Sequence, residues 1–205
     1  MTRTLYKVLK ARAETIRDTI PGVKLVVFLC DPALRAFSQI KMQRRKTPDR
    51  FRKYWPDLDE QGALQRFAEY LAVAGTPEAR DKRLPLMDMI KQYGQYFQQL
   101  VPYLQTFNAS DFLFIDGGGI LTNPEREFRQ FETFFHQTHE LEFKFNAEKG
   151  YQCLDKPVKM CLGSDKGNSR GKEQHPDRNI LQTIRQFYLS EMMKLVGMNS
   201  WIHFG

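Results

Sequence analysis

The sequence predicts an α/β fold in which a parallel sheet is flanked by helices. Residues 24–30 and 111–116 are apolar runs of strand length without polar alternation, as expected of strands buried on both faces. Each is followed by a capping side chain and a proline, Asp31-Pro32 and Asn123-Pro124, which open helical stretches. A strand–turn–helix unit that occurs twice argues for parallel strands covered by helices. No repeat at solenoid spacing is present, and residues 1–205 read as one domain.

The first element is an amphipathic helix over residues 3–19, because Leu5, Val8, Leu9, Ala13 and Ile16 recur at helical spacing before Pro21-Gly22. The first strand, valine-rich, follows at 24–30. The helix from Pro32 continues through Phe37 and Ile40 to about Arg45. Residues 47–83 carry Pro48, Pro56 and Pro77 with Gly75 and many charges, which predicts a mobile excursion with one short helix over 63–74. Leu86, Met89, Tyr93, Tyr96 and Leu100 restore a helical period up to Phe107, with a kink or break expected at Pro102. After the second strand, Phe128, Phe131 and Phe135 mark one face of a helix starting at Pro124. The last helix spans about 179–196, with Ile180, Ile184, Phe187, Tyr188, Met192 and Leu195 inward.

The apolar fraction of 41% and sixteen phenylalanines belong to a globular chain, and no apolar run is long enough to span a membrane. Met1–Lys7 lacks the apolar core of a signal peptide. A net charge of +7 favours polyanionic partners. The densest basic stretch, Lys41, Arg44, Arg45, Lys46, Arg50, Arg52 and Lys53, is interleaved with Phe51, Tyr54 and Trp55. It reads either as a solvated helix end and loop or as a polyanion surface. No recognition helix, zinc-finger spacing or RNA-binding signature accompanies it, which argues against nucleic acid.

Three cysteines are present, Cys30, Cys153 and Cys161. Cys30 ends an apolar strand and reads as a buried thiol. Cys153 and Cys161 are eight residues apart in a loop with Pro157 and Gly163. Spacing leaves a disulfide and a pair of thiols both open. Metal is disfavoured, since no histidine or cysteine partners stand at ligand spacing. Gly117–Gly119 lacks the Lys-Ser/Thr of a phosphate loop and reads as a connector. His136, His139, His175 and His203 show no metal or triad spacing. Asn108-Ala109-Ser110 is a glycosylation acceptor pattern. Ser38 alone is an ordinary helical serine. Lys166-Gly167 with Arg170 and Lys172 is a basic turn of the kind that binds phosphate, or an exposed loop.

Taken together, these segments resemble the heparan sulfate sulfotransferase family. Lys24–Ser38 is similar to the family's second phosphate-binding segment, in which an arginine and a serine eight positions apart hold the 3'-phosphate of 3'-phosphoadenosine 5'-phosphosulfate (PAPS). Ser38 stands in the serine position and Cys30 in the arginine position. Residues 145–167 resemble the family's two-cysteine loop and Lys-Gly-Arg turn, with Asn168 in the arginine position and Ser169–Gln174 inserted before His175-Pro176. The resemblance implies that Cys153 and Cys161 pair. It also implies that Ser38, Lys166, Gly167, Asn168 and Arg170 bind the nucleotide, with Arg170 as a substitute cation. Gly94-Gln-Tyr96, residues 114–135 and Ile184-Arg-Gln-Phe-Tyr188 through Trp201 are similar to further family segments, and the resemblance covers most of the chain.

The resemblance implies a partial P-loop-type sulfotransferase fold that starts after the family's N-terminal strand and phosphosulfate loop, which also carry the catalytic base. Expected function is sulfuryl transfer from PAPS to a glucosamine residue of heparan sulfate, the 3-O position favoured and N-sulfation the alternative, in the Golgi lumen. Replacement of the arginine by Cys30 removes a bidentate phosphate clamp, so a degenerate member that binds sulfated glycan without turnover is a competing expectation. A plain interaction module with coincidental motifs is the third.

Overall fold

The computed structural model describes residues 3–74, 76, 85–138, 140–148, 151–161 and 175–198. In chain order the first elements are α1 (Arg3–Thr19), β1 (Leu25–Leu29), α2 (Pro32–Lys46), α3 (Pro48–Tyr54), α4 (Glu60–Ala72), α5 (Pro85–Gly94) and α6 (Tyr96–Leu104). A 3-10 turn (Ala109–Asp111) leads into β2 (Phe112–Asp116). Then come α7 (Gly119–Thr122), α8 (Pro124–Phe134), β3 (Glu142–Asn146), β4 (Tyr151–Lys156) and α9 (Arg178–Met198). The chain forms two compact units. One comprises the described residues of Met1–Thr15, Asp31–Thr106 and Pro176–Ile202, the other those of Ile16–Cys30 and Phe107–His175.

The first unit is helical. Its core joins Ala33, Phe37 and Ile40 of α2 to Phe51, Trp55, Leu64, Phe67, Leu71, Ile90, Ile184 and Tyr188. Residues 47–74 are therefore not the mobile excursion expected: the one short helix foreseen there is present as α4, but α3 precedes it and both supply much of the core. Pro48 occupies the first helical position of α3, where a missing N–H costs nothing, so it starts a helix rather than breaking one. Residues 75 and 77–83 of that expected excursion lie outside the described residues.

The break expected at Pro102 falls elsewhere. Gln95 leaves helical geometry between α5 and α6, while Pro102 sits buried within α6. The Gln99 side-chain amide donates to the Gln92 carbonyl at 2.8 Å, which satisfies backbone freed by the break. The Pro102 carbonyl accepts from Thr106 Oγ1 at 2.7 Å.

In the second unit β1 and β2 pair in parallel, in register from Leu25↔Phe112 to Leu29↔Asp116. The two strand boundaries and the parallel pairing follow the sequence reading. Burial of β1 does not: Phe28 is 56% exposed, and among the described residues β1 pairs with β2 alone. An antiparallel pair, β3 and β4, was not legible from the sequence. Buried Glu132 of α8 accepts from the Glu140 and Leu141 amides at 3.0 Å each and from Arg129 at 3.0 Å, which ties the helix to the start of β3.

Candidate functional site

Helix α2 starts where it does because Asp31 caps it. Its Oδ1 accepts from the Ala33 amide at 2.8 Å and the Leu34 amide at 3.3 Å. Its Oδ2 accepts from Arg185 Nε at 2.7 Å and Nη2 at 2.6 Å. One carboxylate thus closes the start of α2 and holds α9 against it.

Arg35, one turn into α2, donates to the Ile90 carbonyl at 2.9 Å and lies over the Tyr93 ring at 5.4 Å, which joins α2 to α5. Tyr188 of α9 completes the frame. It is fully buried, and its hydroxyl donates to the Lys91 carbonyl at 3.0 Å. Burial pushes its phenol well above the ordinary value of 10. The Tyr188 ring lies on Gly94 so closely that a Cβ there would stand 2.5 Å from Cζ. Only glycine fits that contact.

The functional candidate is carried on this frame. Ser38 lies on the exposed side of α2, and its hydroxyl makes no hydrogen bond to a described residue. Lys41 and Arg45 follow at the i+3 and i+7 positions and share its helix face. The Lys41 ammonium lies 5.5 Å from the centre of the Phe37 ring, and Arg45 is exposed. Such a face, one hydroxyl donor followed by cations on a fixed helix, suits an anion.

The second unit holds the remaining candidates. Cys153 and Cys161 form a disulfide, with Cα atoms 4.8 Å apart. Leu154 and Met160 exchange two backbone hydrogen bonds of 3.0 Å just inside it, so the intervening turn is closed twice. Lys166, Gly167, Asn168 and Arg170 lie outside the described residues. Cys30 remains a thiol, half-buried. Gly117 packs directly on it, since a Cβ at 117 would stand 2.3 Å from its sulfur. The Gly118 amide donates to Asp116 Oδ1 at 2.8 Å, and the Asp116 amide donates to buried Glu127 at 3.1 Å. The glycine connector is thus flanked by carboxylates, a poor setting for phosphate. Asn108 is exposed just before the 3-10 turn, its backbone amide donating to Asp111 Oδ2 at 3.1 Å.

The sequence singles out Ser38 and puts Tyr188 on the inward face of the last helix, where it is indeed buried, but it gives no partner for Arg185, Tyr188 or Gly94. The Asp31–Arg185 and Gly94–Tyr188 contacts span 154 and 94 positions, so no local pattern reveals them. The presence of these residues in family-like motifs was the available signal.

No family model matches the chain. It is 28% identical over 192 residues to mouse heparan sulfate glucosamine 3-O-sulfotransferase 3B1, an alignment covering 89% of this chain and 43% of that one. It is 24% identical over 183 residues to the human bifunctional heparan sulfate N-deacetylase/N-sulfotransferase 3, covering 86% of this chain and 20% of that one. The chain therefore spans less than half the length of these curated relatives. A solved sulfotransferase from Alicyclobacillus acidocaldarius superposes with a TM-score of 0.56 at 16% identity, over 95% of this chain and 61% of that one. The resemblance read from the sequence is borne out: the homologues are heparan sulfate sulfotransferases of both kinds, and the fold is that of a sulfotransferase.

Proposed function

We propose that this chain is part of a PAPS-dependent sulfotransferase acting on heparan sulfate, with the 3-O position of glucosamine favoured as acceptor. The observation that carries the reading is the frame around α2. Asp31, Gly94, Arg185 and Tyr188 come from three segments that resemble the family, and they converge to hold the helix that presents Ser38.

In the transfer, an acceptor oxygen bonds to the sulfuryl sulfur as the bond from sulfur to the 5'-phosphate oxygen breaks, and the acceptor proton passes to a base. The products are the sulfated sugar and 3'-phosphoadenosine 5'-phosphate. Ser38 contributes a hydroxyl donor to the 3'-phosphate, a charge-assisted hydrogen bond. Lys166, Gly167, Asn168 and Arg170 are assigned to the nucleotide by the resemblance and stand or fall by substitution.

Isothermal titration with 3'-phosphoadenosine 5'-phosphate tests this reading. Micromolar binding is expected, weakened by Ser38→Ala about 10- to 100-fold, the effect of one hydrogen bond to a charged group. Absence of binding by the parent chain would remove the nucleotide from the proposal.

A second reading, glycan binding without turnover, is favoured by one observation, the thiol of Cys30 in the position where the family has a guanidinium. Tighter nucleotide binding by Cys30→Arg would support it; an unchanged affinity would count against it.

The Cys153–Cys161 disulfide and the exposed acceptor Asn108 suit an oxidising, lumenal compartment, for which the Golgi is proposed. No helix among the described residues is long and apolar enough to cross a membrane. Mass spectrometry of protein secreted from eukaryotic cells should find the disulfide and a glycan on Asn108. Two alkylatable thiols at Cys153 and Cys161 would overturn the compartment.

A further inference from the structure

We infer that the corner formed by the end of α2 and all of α3 is a docking surface for a linear sulfated polysaccharide. Residues 44–53 carry six cations, Arg44, Arg45, Lys46, Arg50, Arg52 and Lys53, against one carboxylate, Asp49. These ten residues hold most of the chain's formal net charge of +7. All six cations are exposed.

Carboxylates reach two of the six. Arg44 pairs with Glu60, and Arg52 reaches Asp49 at 2.9 Å with both side chains largely in solvent. No described carboxylate pairs with Arg45, Lys46, Arg50 or Lys53. The helix dipole favours cations in the last turn of α2, but it does not account for Arg50, in the first turn of α3.

The aromatic residues in this stretch decide between polyanions. Phe51 and Trp55 are turned into the core, 2% exposed each and in edge contact at 5.1 Å. Tyr54 is half-buried and faces the Arg50 guanidinium at 5.9 Å. The buried pair anchors α3, and Tyr54, half-buried against Arg50, leaves no fully exposed ring in this stretch for a base to stack upon. Nucleic-acid surfaces that track single strands combine cations with such stacking platforms. This corner offers an excess of exposed cations, which suits a chain whose charges are sulfates and carboxylates and whose rings need no stacking.

The inference rests on the proposed polysaccharide substrate, and its test separates the two. The full chain carrying Lys46→Gln, Arg50→Gln, Arg52→Gln and Lys53→Gln is compared with one carrying Lys7→Gln, Lys10→Gln, Arg12→Gln and Arg17→Gln. Both lose the same charge, and glutamine keeps the polar, exposed character of each site. Heparin affinity is measured across salt, beside a single-stranded oligonucleotide of similar charge. Circular dichroism verifies folding of each variant. The corner variant is expected to bind heparin at least ~10-fold more weakly near 0.15 M salt, with the slope of log affinity against log salt reduced by roughly three to four. The control on α1 is expected to change little. Equal losses in both variants would show that affinity follows net charge and would overturn the inference. So would tighter binding of the oligonucleotide than of heparin. Nucleotide titration of the corner variant is expected to match the parent. If the parent binds no nucleotide yet the corner still determines heparin affinity, the sulfotransferase reading fails and the docking surface stands.

Discussion

Gly94 and Trp55 show how much a single side chain decides. A methyl at Gly94 would meet the Tyr188 ring inside van der Waals contact, and that ring is fixed by full burial and its bond to Lys91. Gly94→Ala is expected to cost about 1–3 kcal/mol through overpacking, against the gain Ala brings to a helix elsewhere. Combining it with Tyr188→Leu should recover part of that cost, a coupling that urea denaturation of the double-mutant cycle would reveal. Trp55 is buried with no partner for its indole N–H among the described residues. Trp55→Phe should therefore be mild, whereas Trp55→Ala removes the ring that anchors α3 and should cost about 3–5 kcal/mol. Similar losses for both substitutions would show that the indole nitrogen matters after all.

Elements are held by a few charged side chains with two tasks each. Asp31 both caps α2 and pairs with Arg185. Asp31→Asn keeps a capping oxygen and loses the ion pair, which is half-exposed and worth at most about 1 kcal/mol. Asp31→Ala loses the cap as well and should cost about 1 kcal/mol more. Thermal denaturation of the two variants tests the order. Lys24 and Asp111 act similarly where β1 and β2 begin, 3.0 Å apart. The Lys24 hydrogen bond, first, and the Asn108 amide hold the Asp111 carboxyl below its usual 3.8. A carboxyl with a lowered folded-state pKa releases its proton more readily when folded. Its stabilisation is therefore complete above that usual value and lost as pH falls through the lower folded one. Asp111→Asn should lower the urea midpoint at pH 6 and lose that effect near pH 2; a constant difference across pH would exclude this origin.

At the scale of the molecule, the two compact units differ in what stabilises them. The helical unit relies on apolar packing among α2, α3, α4, α5 and α9, while the strand-bearing unit includes the Cys153–Cys161 disulfide. Closing so short a loop contributes about 2–3 kcal/mol by constraining the unfolded chain. Cys153→Ser with Cys161→Ser should speed hydrogen exchange in β3 and β4 and leave the α2–α9 core protected. Loss of protection in Ile90 and Ile184 would show that the units are not energetically distinct.

By itself the sequence determined the elements whose signals are local. Asp31-Pro32 and Asn123-Pro124 mark helix starts because cap and proline act within one turn, and the two apolar runs mark strands because their burial is continuous. The two-cysteine loop and Ser38 were legible only through family resemblance, since neither carries a decisive chemical pattern alone. Tertiary structure decided the rest. Prolines at 48 and 102 punctuate the chain differently from their local reading, because packing of Phe51, Trp55 and Tyr188 sets where helices begin and break. The Asp31–Arg185 and Gly94–Tyr188 contacts join residues far apart in sequence. Contacts of that kind arise from the closeness of helices in space, which no window of sequence contains.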